Sequence, residues 1–186
     1  MRMLLIYIRN AKYRLNGFFV KLFLLSLGCK VGKNFKCLSI PRFRVLPKKN
    51  IQIGDNVTIG YDSIFEITEE GKLILDNQVV IGDRAYISTS SLIHMKFLSG
   101  IAENVSIRGT MHQLQKHNPV RLNKNKTKPI ILEEDSSIGA SSVILMGTHI
   151  PKGVFIGANS VVTDRIKLEP YTIYAGSPVK KIKERE

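Results

Sequence analysis

Of the four histidines in this chain, His112 is the one placed to do chemistry. It lies five residues after Ile107, at the end of a regular six-residue unit, where the repeating pattern stops. A neutral imidazole there can take a proton from an incoming hydroxyl. His149 directly precedes Ile150 at a turn of the repeat and reads as a solvated surface residue. His94 directly follows Ile93, so it should point away from the core. His117 falls inside the interruption and reads as solvated. Cys29 and Cys37 lie outside the regular repeats. They read as two buried thiols of an intracellular chain rather than as a bridge. No Cys/His cluster has zinc-finger spacing.

The elements that must position His112 follow from a period of six. Starting at Leu132, the aliphatics Ile138, Ile144, Ile150, Ile156, Val162 and Leu168 recur at every sixth residue. Four residues after most of them sits a small or β-branched residue: Ser136, Ser142, Thr148, Val154, Ser160. This period is neither helical nor alternating. It predicts hexapeptide repeats, in which three short strands make one triangular coil and the aliphatics stack along its axis. The same phase runs upstream through Ile53, Ile59 and Phe65, resumes after a slip at Leu75, Ile81, Ile87 and Ile93, and resumes again at Ile101 and Ile107. The pattern fails from about Gln113 to Lys128, a stretch containing Asn118-Pro119, Asn123, Asn125 and Pro129. That predicts a long loop thrown out of the solenoid over about 113–130. Such loops inside a compact domain are functional or disordered.

Charge divides the chain in two. Residues 1–50 carry twelve Lys/Arg and no acid, whereas the rest is nearly balanced. No base-stacking or groove-entering element accompanies the basic region, so no nucleic-acid partner is expected. Leu4, Ile8, Ala11, Leu15, Phe18, Leu22 and Leu25 line one helical face, with Arg2, Arg9, Lys12 and Asn16 roughly opposite. Arg9, Lys12, Arg14 and Lys21 interrupt every stretch long enough to span a bilayer. Two readings stay open: a helix lying on an anionic membrane surface, or a cap over the open end of the solenoid. Asn16-Gly17 predicts a break into two short helices. The expected organisation is a basic amphipathic helical region and entry to the coils over 1–49 and a solenoid domain over 50–186, with a C-terminal tail over about 169–186.

The repeat, His112 and the C-terminal end together resemble the hexapeptide-repeat acyltransferases, similar to the maltose, galactoside and polysaccharide O-acetyltransferases. The resemblance covers about residues 50–182. It rests on Val105-Ser-Ile-Arg-Gly-Thr-Met-His112, on Lys128-Pro-Ile-Ile-Leu, on Ile138-Gly-Ala-Ser-Ser-Val-Ile, on Ile156-Gly-Ala-Asn-Ser-Val-Val-Thr163 and on Ala175-Gly-Ser-Pro-Val-Lys180. It implies an all-β fold, the left-handed parallel β-helix, an exception to the right-handed crossover rule. It implies homotrimers with acetyl-CoA as co-substrate between subunits, no metal, and a carbohydrate acceptor. Carried onto these positions, His112 matches the catalytic base. Gly139, Ala140 and Ala158 match the track of the pantetheine arm, and Thr163 and Lys180 the adenosine and phosphate end. Small side chains suit close approach of an extended ligand, and lysine suits phosphate. Met111 stands where relatives often carry Asp, Asn or Thr, and Ile101-Ala-Glu-Asn-Val lacks the usual Gly after the aliphatic.

The expected activity is acetyl transfer to a sugar hydroxyl in cell-surface polysaccharide or glycolipid synthesis, in the cytoplasm or on the inner face of its membrane. Three alternatives stay open. One is a sugar N-acetyltransferase. A second is a zinc enzyme like the γ-class carbonic anhydrases, since His112 and His117 are spaced H-x4-H and His94 lies eighteen residues before His112. The third is a solenoid that only scaffolds an assembly.

Overall fold

The computed structural model describes residues 2–186. One helix, α1 (Arg2–Ser26), precedes a left-handed parallel β-helix of about seven coils. Its walls are three parallel sheets, each built from every third strand in chain order, and the second wall ends in an antiparallel strand.

The six-residue period becomes three columns of stacked side chains. In the second wall Cys37, Ile59, Ile81, Ile101, Ile138, Ile156 and Tyr174 follow one another in register. In the third wall the column is Phe43, Phe65, Ile87, Ile107, Ile144 and Val162. In the first wall it is Val31, Ile53, Leu75, Met95, Leu132 and Ile150. Met95 thus continues the column that the sequence period assigned to Ile93. Ile93 is also buried, but it stacks between Leu73 and Ile130.

The small residues between the aliphatics turn the corners. Ser136, Thr148 and Ser160 are buried, and each hydroxyl donates to the carbonyl three residues earlier, at 2.7 Å. Buried hydroxyls need such partners, and these also hold the chain bent. Asn34, Asn56, Asn104 and Asn159 occupy the left-handed backbone region at φ between 53° and 58°. Asn tolerates that region better than most residues.

The coils begin earlier than the repeat suggested. Lys30–Val31 already pairs with Gln52–Ile53, so the first coil starts near residue 30 rather than 50. Its inner positions hold Cys29, Phe35, Cys37 and Phe43 instead of Ile or Val, which hides it from an aliphatic pattern. The tail from residue 169 is also ordered. Thr172–Ala175 continues the second wall, and Lys180–Glu184 folds back against it.

Helix α1 is continuous through Asn16-Gly17. Gly17 is buried, and a Cβ there would lie 2.4 Å from the carbonyl oxygen of Phe35. Asn16 Nδ2 donates to the Leu38 carbonyl at 3.0 Å. The pair seats the helix instead of breaking it. Val20 and Leu24 join the core from the same face, and the Tyr13 and Tyr61 hydroxyls lie 2.7 Å apart. The helix therefore caps the coil with the face carrying Tyr13, Gly17, Val20 and Leu24. The face carrying Ile8, Ala11, Leu15, Phe18, Leu22 and Leu25 is exposed. The side chains of Arg2 and Leu4, expected on opposite faces, lie outside the described residues. Among the described residues, no helix is long and apolar enough to cross a membrane.

Cys29 and Cys37 are both free and buried. Burial pushes the Cys37 thiol up to about 12, so little thiolate is present at neutral pH. An aromatic disulfide reagent should label neither thiol in native buffer and both in denaturant. Fast labelling of Cys37 in native buffer would mean that the first coil opens.

Candidate active site

The interruption is not a structureless loop. After Ser106–Arg108 the chain leaves the third wall at Gly109 and forms a two-stranded antiparallel arm, Thr110–His112 against Asn125–Thr127. A short 3-10 turn, Val120–Leu122, lies near its tip. The base of the arm is tied down twice. Thr127 Oγ1 donates to the Gly109 carbonyl at 2.8 Å, and Lys128 pairs with Asp164. The Lys128 ammonium holds the Asp164 carboxyl below the ordinary carboxylate range.

His112 ends the first strand of the arm. Its Nδ1 lies 3.4 Å from the carbonyl oxygen of Asn123. Asn123 is itself buried and anchored, its Nδ2 donating to the Gln113 carbonyl at 2.7 Å. A proton on Nδ1 points at that carbonyl, which leaves Nε2 as an acceptor. The imidazole borders a cleft of about 560 Å³. Met111, Leu114 and Lys126 line it from the arm; Leu145, Met146, Thr163 and Ile166 line it from the coils; and Pro178 closes one edge. The cleft thus combines an apolar floor, one base and the cations Lys126 and Arg165.

The expected site residues divide into two groups. His112 and Thr163 line the same cleft. Gly139, Ala140 and Ala158 sit at the other edge of the third wall, just after Ser137–Ile138 and Phe155–Ile156. Lys180 is exposed at the start of the last strand. Gly139 has a packing duty of its own, because a Cβ there would lie 2.6 Å from the Ala158 backbone nitrogen. Ala158 is exposed and free to meet a ligand. A single chain therefore does not bring the whole set into one pocket.

Two of the other histidines, His94 and His149, are engaged elsewhere. His94 Nε2 contacts Asp76 Oδ1 at 2.9 Å on the first wall. His149 Nε2 contacts Glu133 Oε1 at 2.9 Å, and Lys96 meets the same carboxylate. Burial works against the charge on Glu133, but the bonds from Lys96 and His149 prevail and hold its carboxyl below the usual range. Among the described residues, no three His, Cys, Asp or Glu side chains converge as metal ligands.

Sequence reasoning missed Asn123 and Asp164. Asn123 looked like loop composition, and its role exists only once the arm pairs. Asp164 directly follows the expected Thr163, but only folding brings Lys128 to it.

Comparison with known proteins agrees with this fold. Residues 129–164 match the family model described as the hexapeptide repeat of succinyl-transferase. A protein of Escherichia coli (strain K12) named as a lipopolysaccharide biosynthesis O-acetyl transferase, WbbJ, is 27% identical over 143 residues, covering 73% of this chain and 72% of that one. The chain therefore resembles the hexapeptide-repeat acyltransferases in its repeat and its fold. A second similar protein is a 2,3,4,5-tetrahydropyridine-2,6-dicarboxylate N-acetyltransferase of Ligilactobacillus salivarius. It is 39% identical over 57 residues, 31% of this chain, and the match spans only 24% of that relative's length. Among solved structures, AntD, an N-acyltransferase from Bacillus cereus in complex with dTDP and 3-hydroxybutyryl-CoA, superposes with a TM-score of 0.73. Its identity is 26%, over 88% of this chain and 87% of that one.

Proposed function

We propose that this chain is an acetyl-CoA-dependent O-acetyltransferase acting on a sugar hydroxyl in cell-surface polysaccharide or glycolipid synthesis. The observation that carries the reading is His112, which borders the cleft with its Nδ1 3.4 Å from the Asn123 carbonyl oxygen, a contact that suits an Nδ1-protonated ring with Nε2 as acceptor. His112 removes the hydroxyl proton while the oxygen attacks the thioester carbonyl. The tetrahedral adduct then collapses, the C–S bond breaks, and the imidazolium returns the proton to the departing thiolate. A backbone N–H of the coil after the arm would stabilise the oxyanion.

The division of the site supports a homotrimer. The base lies at one edge of the third wall and the Ala140–Ala158 track at the other. A neighbouring subunit packed along the coils would bring one subunit's track to the next subunit's arm. On this reading Gly139, Ala140 and Ala158 line the pantetheine arm, and Thr163 and Lys180 reach the adenosine and phosphates. Work in the cytoplasm, beside the inner face of its membrane, suits a lipid-linked glycan acceptor.

The match to WbbJ favours oxygen as acceptor, because it runs over most of both chains. The match to AntD, an N-acyltransferase of which one mutant is in complex with dTDP-4-amino-4,6-dideoxyglucose and Coenzyme A, favours a sugar amine. A thiol-release assay with acetyl-CoA separates the two, run against paired panels of sugars and nucleotide-sugars bearing either hydroxyls alone or a free amine. Release only with amines would replace the O-acetyl reading with the N-acetyl one. No release with any acceptor, together with no CoA binding, would favour a scaffold.

Ala158 tests the cofactor track separately. Ala158→Phe places a ring on the coil exterior, so folding and assembly should persist while CoA affinity falls at least ~10-fold. Isothermal titration with CoA measures this, and unchanged affinity would remove Ala158 from the site.

A further inference from the structure

We infer that the outer face of α1 is a docking surface for anionic lipid, so that one helix both caps the coil and seats the protein on a bilayer. The two duties fall on different faces. Tyr13, Gly17, Val20 and Leu24 face the coil. Ile8, Leu15, Phe18, Phe19, Leu22 and Leu25 stay between 44% and 55% exposed. Helical geometry places these six on the side turned away from the cap. An apolar stripe of this size on a soluble surface marks an interaction site.

The segment before Tyr13 goes further. Every described side chain from Ile6 to Lys12 is exposed, including Tyr7 at 75% and Ile8 at 54%. Two helical turns with no tertiary support are unstable in water. They need a surface to lie on.

Charge decides which surface. Lys12 flanks the stripe on one side, and Arg14 and Lys21 on the other. Among the described residues the ion pairs begin only at Arg44, so none of Arg9, Lys12, Arg14 or Lys21 has a carboxylate partner. A second copy would bring the same acid-free, basic segment against the first and repel it. An anionic headgroup layer supplies the missing countercharge, while the stripe enters the acyl boundary. This inference is independent of the reaction and of its acceptor.

Co-sedimentation of the full-length protein with phosphatidylglycerol-containing vesicles, and with purely phosphatidylcholine vesicles, tests it. The wild type should bind the anionic vesicles at least ~10-fold more strongly, and raised salt should weaken that binding without abolishing it. Leu15→Glu with Phe18→Glu should lower anionic binding at least ~10-fold. The double variant should keep its melting temperature, because both side chains are more than half exposed and neither belongs to the buried core. Sedimentation velocity without vesicles covers the other occupant. If the double variant forms a smaller assembly than wild type, the stripe is a subunit interface and the inference fails. It also fails if the two vesicle types bind equally, if high salt removes all binding, or if the double variant binds as wild type does.

Discussion

His112→Ala should lower kcat at least ~100-fold, the usual size of a general-base contribution. CoA affinity should remain close to wild type, because His112 is proposed to act on the acceptor hydroxyl while other residues hold the pantetheine arm. Steady-state kinetics of thiol release, with CoA titration alongside, gives both numbers. Full turnover in His112→Ala would sink the assignment. So would loss of turnover in His94→Ala, because His94 lies on the first wall against Asp76. The supporting shell can be probed by the same kinetics. Asn123→Ala keeps the carbonyl facing Nδ1 but loses the Nδ2 anchor to Gln113. It should therefore lower kcat by less than His112→Ala does.

The largest stability effect should come from the middle of a column. Ile144 is fully buried and in register between Ile107 and Val162. Ile144→Ala should cost about 2–5 kcal/mol, through lost transfer energy and the cavity left behind. The value should fall toward the upper end. The coils above and below are held by their own backbone ladders and cannot collapse inward independently. Urea denaturation of the variant, with Lys152→Ala as an exposed control, measures it. The control should move by no more than about 0.5 kcal/mol. An Ile144→Ala midpoint equal to the control's would show that the columns are not the source of stability.

The sequence by itself determined the coils. A six-residue period in which every inner position is aliphatic admits few alternatives, and Leu132 through Leu168 are all buried as that period requires. It also marked His112, because the pattern breaks beside it. The first coil was not legible, since Cys37 and Phe43 fill inner positions that an aliphatic search does not recognise. The choice between Ile93 and Met95 was not legible either, because a slip in the repeat hides which residue meets Leu132. Only the tertiary structure decided the shape of the arm. Its pairing of Met111 with Lys126, and the approach of Asn123 to His112, are contacts between residues with no periodic signal. Only the tertiary structure decided which face of α1 meets the coil. A helical period identifies the widest apolar stripe, but shape selects the seat. Gly17 lets the backbone approach Phe35 closely, and Val20 and Leu24 then reach the open end of the core. The broad stripe of Leu15, Phe18 and Leu22 is left facing outward, because a helix seated through Gly17, Val20 and Leu24 turns its opposite side to solvent.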